Sequence, residues 1–156
     1  MARILIVDDD RDFNSLLTDI FEQSGHAVTS ATDPAEGFEI YCRETFSLVV
    51  TDQKMPGMTG DALIRKMRGE RTDIPIIMVS GYLDNETIRS LIRDGVSGVF
   101  LKPLNVFSLL KRANALIEAS SLEQKHEEQV SQGLIEADEY DHGLPFPFET
   151  FPCKAQ

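Results

Sequence analysis

The sequence contains no tryptophan, two cysteines and no long apolar run. Cys42 and Cys153 lie far apart and form no Cys-x-x-Cys or Cys/His spacing, so neither a disulfide framework nor a zinc site is indicated. No apolar segment approaches the roughly 18 residues that a membrane-spanning helix needs. The acid at Asp8 comes too early for the apolar region of a signal peptide. We therefore expect a cytoplasmic protein without membrane insertion.

Positive charge is also scarce. The chain has 15 Lys and Arg against 26 Asp and Glu, a formal net charge of -11. Direct nucleic-acid binding is not expected, because it requires clustered basic residues to replace counterions. Residues 119–156 alone hold eight acids and two bases. A chain of 156 residues suits one core of ordinary size, so we predict a domain over 1–118 and an acidic extension over 119–156.

Apolar segments alternate with amphipathic segments throughout residues 1–118. Strands are predicted at 4–7, 26–31, 46–51, 74–79 and 97–101, and helices at 13–21, 35–43, 61–67, 84–93 and 106–117. The fifth helix is expected to continue through 122–130, and the three scattered histidines are interpreted as surface residues. This alternation is typical of a doubly wound parallel sheet with helices on both faces. In such sheets, ligands bind at the carboxyl ends of the strands.

Acidic residues follow two of these strands. Asp8, Asp9 and Asp10 come directly after the first strand, and Asp52 ends the third. Crowded carboxylates raise one another's pKa unless a cation lies among them, and Mg²⁺ prefers oxygen ligands of this kind. We predict a Mg²⁺ site at Asp8, Asp9 and Asp52, with Asp10 as the N-cap of the first helix. The alternative is that the three consecutive acids only cap that helix and favour its dipole.

The other strand ends could support phosphoryl transfer. A carboxylate such as Asp52 can attack a phosphoryl group while Lys102 neutralises its charge and Ser80 donates a hydrogen bond to it. Each residue also has a simpler interpretation. Asp52 could open a turn, Ser80 could be a polar strand end, and Lys102 could be a solvated charge before Pro103. Their joint occurrence at the ends of different strands favours one shared site.

Four motifs together resemble the receiver domain of two-component response regulators: Val7-Asp-Asp9, Asp52-x-x-Met-Pro-Gly-Met-x-Gly60, Val79-Ser-Gly81 and Lys102-Pro103. The resemblance covers residues 3 to about 118. It implies a flavodoxin-like α/β fold with a five-stranded parallel sheet in the order 2-1-3-4-5. It also implies phosphorylation by a histidine kinase or a phosphotransfer protein.

The resemblance implies a role for each matching acid. Asp52 matches the phosphoacceptor. Asp9 and Asp52 would ligate Mg²⁺ directly, together with the backbone carbonyl of Lys54, and Asp8 would act through water.

The resemblance also implies a switch. Ser80 matches the switch hydroxyl and Lys102 the charge partner of the phosphoryl group. Movement of Ser80 would repack the face formed by the fourth helix, fifth strand and fifth helix, where a downstream protein would bind. The family commonly has Tyr or Phe three residues before the lysine, but here Val99 occupies that place and Phe100 follows it. Since neighbouring strand residues point to opposite faces, output is expected to depend on the fourth helix and its loop.

Residues 119–156 are too few for the DNA-binding, ATPase or enzymatic domain that often follows a receiver. We expect signalling by protein–protein contact without enzymatic output, and the sequence leaves homodimerisation open. A receiver fragment of a larger regulator is one alternative. An aspartyl-phosphate phosphohydrolase is another, although Gln53 and Lys54 leave no Asp-x-Asp. A nucleotide-binding domain is disfavoured because no Gly-x-Gly-x-x-Gly follows the first strand.

The end of the chain has an unusual composition. Residues 144–153 interleave three phenylalanines with three prolines, which excludes a helix and favours an extended segment. Three interpretations stay open: a disordered terminus, a docking peptide for a partner, and a latch that packs on the output face of the same chain.

Overall fold

A computed structural model describes residues 1–131 and 150–151 of the chain. The elements in chain order are β1 (Arg3–Val7), α1 (Arg11–Gln23), β2 (Ala27–Ala31), α2 (Pro34–Arg43), β3 (Leu48–Thr51), α3 (Gly60–Glu70), β4 (Ile76–Ser80), α4 (Asn85–Arg93), β5 (Gly98–Leu101), α5 (Val106–Ser131) and β6 (Thr150–Phe151). The predictions made for residues 132–149 and 152–156 lie outside the described residues.

The strands form one sheet in the order β2-β1-β3-β4-β5-β6, and every neighbouring pair is parallel. The predicted flavodoxin-like order 2-1-3-4-5 is therefore confirmed, and β6 adds a two-residue strand beside β5. Val7 pairs with Ala31 on one side and with Thr51 on the other. Three strands consequently end level at one edge of the sheet, where Asp8 and Asp52 follow.

Side chains alternate between two apolar layers, one on each face of the sheet. Leu5 and Val7 belong to the layer covered by α2, α3 and α4, whereas Ile4 and Ile6 belong to the layer covered by α1 and α5. Val99 and Phe100 divide in the same way, as the alternation predicts. Both layers are closed to solvent, which explains why the inner strands are apolar throughout.

Aspartates begin three of the helices by accepting hydrogen bonds from otherwise unpaired backbone amides. Asp10 accepts from the amides of Asp12 and Phe13 at the start of α1, so its predicted role as N-cap is confirmed. Asp33 caps α2 ahead of a proline, and Asp84 caps α4. These caps fix where each helix begins.

The helix α5 reaches Ser131 without interruption, in agreement with its expected continuation through 122–130, because no glycine or proline occurs between residues 106 and 131. It runs across the predicted boundary at 118, so that boundary stays a prediction. His26 is not a simple surface residue. Its Nδ1 accepts from the Ala2 amide at 3.3 Å, and its Nε2 lies 2.9 Å from Oδ1 of Asn114. The ring therefore links the start of β1 to α5.

In the part of the chain that the structure describes, no helix combines the length and the apolar character needed to span a membrane.

Candidate functional site

Backbone hydrogen bonds continue past the strand ends and hold the candidate site. The amide of Asp52 donates to the carbonyl of Val7 at 3.1 Å, and the amide of Asp8 donates to the carbonyl of Ala31 at 3.1 Å. On the other side of the sheet, the amide of Lys102 donates to the carbonyl of Ser80 at 2.8 Å. The sheet thus positions the first residue beyond β1, β3 and β5 nearly as firmly as the strands themselves.

Three carboxylates converge at this edge, as the sequence predicts. One oxygen of each of Asp8, Asp9 and Asp52 lies within 4.8 Å of the others. Asp8 is 2% exposed and Asp52 8%, whereas Asp9 is exposed. The cluster therefore has a buried floor and an open side. Its donors are all hard oxygen atoms, the type of ligand that Mg²⁺ prefers.

The side chain of Lys102 brings positive charge into the cluster. Its Nζ lies 3.4 Å from Oδ2 of Asp8 and 3.5 Å from Oδ2 of Asp52. It also lies 4.0 Å from the centre of the Phe13 ring, within the range of a cation–π contact. The ammonium is thus held by two carboxylates and an aromatic face. Three carboxylates and one ammonium leave a formal cluster charge of -2.

The carboxyl of Asp8 has a perturbed pKa. Burial raises the pKa of its carboxyl, and the nearby charge of Asp52 raises it further. The backbone amide of Asp10 and the Lys102 ammonium lower that pKa, but they do not cancel the effect of burial. The charged form of Asp8 is therefore incompletely compensated by protein groups, as expected for a carboxylate that a cation would stabilise.

Ser80 lies at the same edge of the sheet, and its hydroxyl bonds the loop that follows β4. The residue is 1% exposed, and its Oγ donates to the carbonyl of Tyr82 at 3.4 Å. Ser80 pairs with Leu101 in the register of β4 and β5, one residue before Lys102. The hydroxyl is thus one strand away from the ammonium, and the hydrogen bond that it donates is long.

The loop after β3 is closed by contacts that the sequence did not reveal. Gln53 and Asp61 exchange two hydrogen bonds of 2.9 Å, from Nε2 to Oδ1 and from the Asp61 amide to Oε1. The Gln53 amide also donates to Oδ1 of Asp52 at 2.7 Å. A Cβ on Gly60 would lie 2.0 Å from the carbonyl oxygen of Asp52, so this close approach of α3 requires glycine. Together these contacts fix the Asp52 carboxylate.

Two further residues near the site were missed by sequence reasoning. Asn14 is 3% exposed and donates to the carbonyls of Asp8 and Ala31. It thereby joins the ends of β1 and β2. Phe13 is the first residue of the predicted helix at 13–21, and its ring lies against Lys102. A polar residue within the first turn of an amphipathic helix is a signal that could have identified Asn14. No comparable signal marks Phe13.

Lys54 lies two residues after Asp52 in the same loop. Its ammonium is 5.7 Å from the centre of the Tyr82 ring, so this contact connects the loop after β3 to the loop after β4. The two loops flank the acidic cluster, and Tyr82 itself is 65% exposed. The loop residues are therefore accessible to a partner that approaches the cluster.

The comparisons with known proteins agree with this geometry. Residues 4–114 match the family model described as "Response regulator receiver domain". The response regulator protein FleR of Pseudomonas aeruginosa is 29% identical over 70% of this chain and 23% of its own length. The regulatory protein VanRB of Enterococcus faecalis is 30% identical over 76% of this chain and 53% of its own length. The chain thus spans only part of these longer relatives.

Solved structures give the same result for the fold. A CheY-like response regulator receiver domain protein from Methanospirillum hungatei JF-1 superposes with a TM-score of 0.77 at 32% identity, covering 79% of this chain and 98% of the other. The chemotaxis protein CheY4 of Vibrio cholerae gives a TM-score of 0.70 at 26% identity, covering 74% and 98% respectively. Fold, strand-end residues and relatives agree, and the chain belongs to the response regulator receiver domain family of two-component signalling.

Proposed function

We propose that Asp52 is the phosphoacceptor of this receiver and that Lys102 and Ser80 respond to the phosphoryl group. The observation that carries the proposal is the Lys102 ammonium, held 3.4 Å and 3.5 Å from two carboxylates at the end of the sheet. Receiver domains exchange phosphoryl groups with histidine kinases or phosphotransfer proteins. The chemistry needed here is attack of a carboxylate oxygen on the phosphorus of such a donor.

The contacts of Asp52 suit it to this attack. Its Oδ1 accepts from the Gln53 amide at 2.7 Å, which fixes the plane of the carboxylate. Its Oδ2 lies on the side of Lys102. As an Asp52 oxygen bonds to phosphorus, the bond from phosphorus to the donor breaks and the electron pair leaves with the donor group. The product is an acyl phosphate, whose charge the Lys102 ammonium can pair with in place of the lost carboxylate charge.

Asp8, Asp9 and Asp52, with the backbone carbonyl of Lys54, would hold Mg²⁺. The clustering of three carboxylates and the raised pKa of the Asp8 carboxyl support this assignment. When bound, the ion would neutralise charge on the phosphoryl oxygens. Asp8 keeps a second task in the protein, because its Oδ1 accepts from the Asp10 amide at 2.9 Å and shapes the turn into α1.

The output of the site would pass through Ser80. A phosphoryl group on Asp52 offers the Ser80 hydroxyl a charged acceptor, which is stronger than its 3.4 Å bond to the Tyr82 carbonyl. Movement of Ser80 would therefore release the loop that leads into α4. Val99 is buried at 3% exposure and offers no aromatic ring that could swing inward. The response would accordingly depend on α4 and its loop.

The surface beside that loop supports a role in protein–protein contact. Tyr82 is 65% exposed and Ile92 on α4 is 45% exposed. Apolar side chains exposed on a switching face are suited to a partner that recognises one of its two states. We propose that a downstream protein, or a second copy of this chain in a homodimer, binds the face of α4, β5 and α5. The chain would act in the cytoplasm and signal without converting a substrate of its own.

A second role follows from the length of the relatives. The chain spans 23% of FleR and 30% of the C4-dicarboxylate transport transcriptional regulatory protein DctD of Rhizobium meliloti. The same receiver could therefore control an effector domain in a longer protein. In that arrangement the chemistry at Asp52 would be unchanged, but the face of α4, β5 and α5 would contact the effector.

Labelling with a small phosphodonor tests the assignment of Asp52. Acetyl phosphate with Mg²⁺ should modify the wild-type chain, and chelation of the metal should prevent it. The Asp52→Asn variant should not be labelled. The matched control is Asp10→Asn, which changes the same functional groups at the N-cap of α1, where asparagine also caps well. Undiminished labelling of Asp52→Asn would disprove the proposed acceptor.

A further inference from the structure

The short strand β6 pairs with β5 at one edge of the sheet. Thr150 pairs with Val99 and Phe151 pairs with Phe100, both in parallel orientation. Parallel strands require a crossover connection, usually a helix. Here the crossover contains α5, which makes β5, α5 and β6 one more unit of the repeating strand–helix–strand pattern.

The lengths of the segments permit this connection. The helix α5 has 26 residues and is therefore about 39 Å long at about 1.5 Å per residue. Residues 132–149 connect it to β6, and an extended chain of that length reaches about 60 Å at about 3.3 Å per residue. The connection is thus long enough to return along the whole helix to the edge of β5.

The two edges of the five-stranded sheet differ in chemistry. At one edge, β2 has the sequence Ala-Val-Thr-Ser-Ala and is mostly half-buried, with hydroxyl groups on its surface. At the other, β5 has the sequence Gly-Val-Phe-Leu, and three of its four residues are buried. It carries neither charge nor proline, the features by which natural edge strands avoid pairing with other chains. An edge of this kind is a template for strand addition.

The segment at residues 150–151 suits such an edge. Threonine and phenylalanine both favour strands. Pro152 follows directly and has no amide hydrogen, so it limits how far the pairing can extend. The main-chain hydrogen bonds of a two-residue strand give modest affinity, which a partner with a longer strand could exceed.

We propose that the outer edge of β5 is a strand-addition site whose occupant is the chain's own segment around Thr150–Phe151. A partner that uses this edge must present an extended segment and displace β6. The proposal concerns an interaction surface and does not depend on phosphorylation of Asp52. It assigns Thr150 and Phe151 to the chain's own sheet.

Nuclear Overhauser effects (NOEs) test the pairing directly. The full-length protein should show backbone contacts between residues 99–100 and 150–151, and Thr150→Pro should remove them because proline lacks the amide hydrogen. Ala155→Pro, outside the paired residues, is the matched control and should keep them. In a mixture of labelled and unlabelled protein, an isotope-filtered spectrum should show no contacts between chains. Absence of the contacts, or contacts only between chains, would overturn the proposal.

Peptide competition tests whether the occupant can be exchanged. A synthetic peptide of residues 144–153, kept reduced, is titrated into each full-length protein while the amide signals of residues 98–101 are followed. A tethered segment competes at an effective concentration in the millimolar range. The peptide should therefore bind Thr150→Pro at least tenfold more tightly than the wild type. Equal affinity for both, or no binding to either, would contradict a strand-addition site.

Discussion

Removal of the Lys102 ammonium is the most informative perturbation of the site. Lys102→Met keeps the length and apolar stem of the side chain, so packing against Phe13 is largely retained. Only the positive charge between Asp8 and Asp52 is lost. The formal charge of the cluster would change from -2 to -3, because three carboxylates would then have no ammonium beside them.

The distances set the size of the effect. At 3.4 Å and 3.5 Å, each ion pair contributes roughly 5 kcal/mol of attraction at an effective dielectric constant of about 20, before desolvation is subtracted. Removal of one partner from a fully buried pair costs about 3–5 kcal/mol. The Lys102 side chain is 24% exposed, so water screens part of the interaction. We expect the metal-free protein to lose about 2–3 kcal/mol of unfolding free energy at neutral pH.

Urea unfolding in the presence of a chelator, and again with excess Mg²⁺, measures this loss. The ion should stabilise Lys102→Met more than the wild type, because it supplies the missing positive charge. Lys111→Met is the matched control, since Lys111 is exposed on α5 and its loss should change stability by less than about 0.5 kcal/mol. If both variants unfold alike without metal, the ammonium does not stabilise the cluster and the electrostatic reasoning is wrong.

Three further predictions concern the start of α3 and the apolar layer under α1. Gly60→Ala should destabilise the protein by about 2–3 kcal/mol, because the new Cβ meets the Asp52 carbonyl, whereas Gly69→Ala in the same helix has free space and should stabilise it by up to about 1 kcal/mol. Thermal unfolding measures both, and equal shifts would contradict the close approach. Burial opposes the charge of Asp61, but hydrogen bonds from Thr59 and Gln53 and the Arg65 charge lower its pKa below the ordinary 3.8. Asp61→Asn should therefore cost about 1 kcal/mol at pH 7, and the difference from wild type should disappear as the pH falls through the lowered pKa. A difference that does not shrink as the pH falls below 3.8 would refute this origin. Phe21→Ala removes a fully buried ring from the layer under α1 and should cost about 3–5 kcal/mol in urea unfolding, and a much smaller loss would mean that this layer is loosely packed.

Much of the fold and the core of the site follow from local pattern. The carboxyl ends of parallel strands share one edge, so Asp8, Asp52 and Lys102 could be brought together from strand predictions alone. The caps at Asp10 and Asp33 follow from short-range chemistry, because each side chain bonds amides within three residues. These features depend on neighbours in sequence or on the general geometry of a doubly wound sheet.

Other features depend on contacts between distant segments. Phe13 belongs to the apolar stripe of α1, and periodicity cannot tell that its ring meets the ammonium of Lys102. His26 has no partner nearby in sequence, yet it bonds Asn114 on α5. The strand β6 has only two residues, too few for the alternation by which strands are recognised, and its pairing depends on β5, which is distant in sequence.

The most direct test of the proposed phosphoacceptor is to locate the phosphoryl group on the chain. Borohydride converts an aspartyl phosphate into homoserine, which peptide mapping by mass spectrometry can assign to one residue. After treatment with acetyl phosphate and Mg²⁺, we expect homoserine at position 52 in the wild type and in Asp10→Asn. Homoserine at Asp8 or Asp9, or none at any position, would contradict the claim that Asp52 accepts the phosphoryl group.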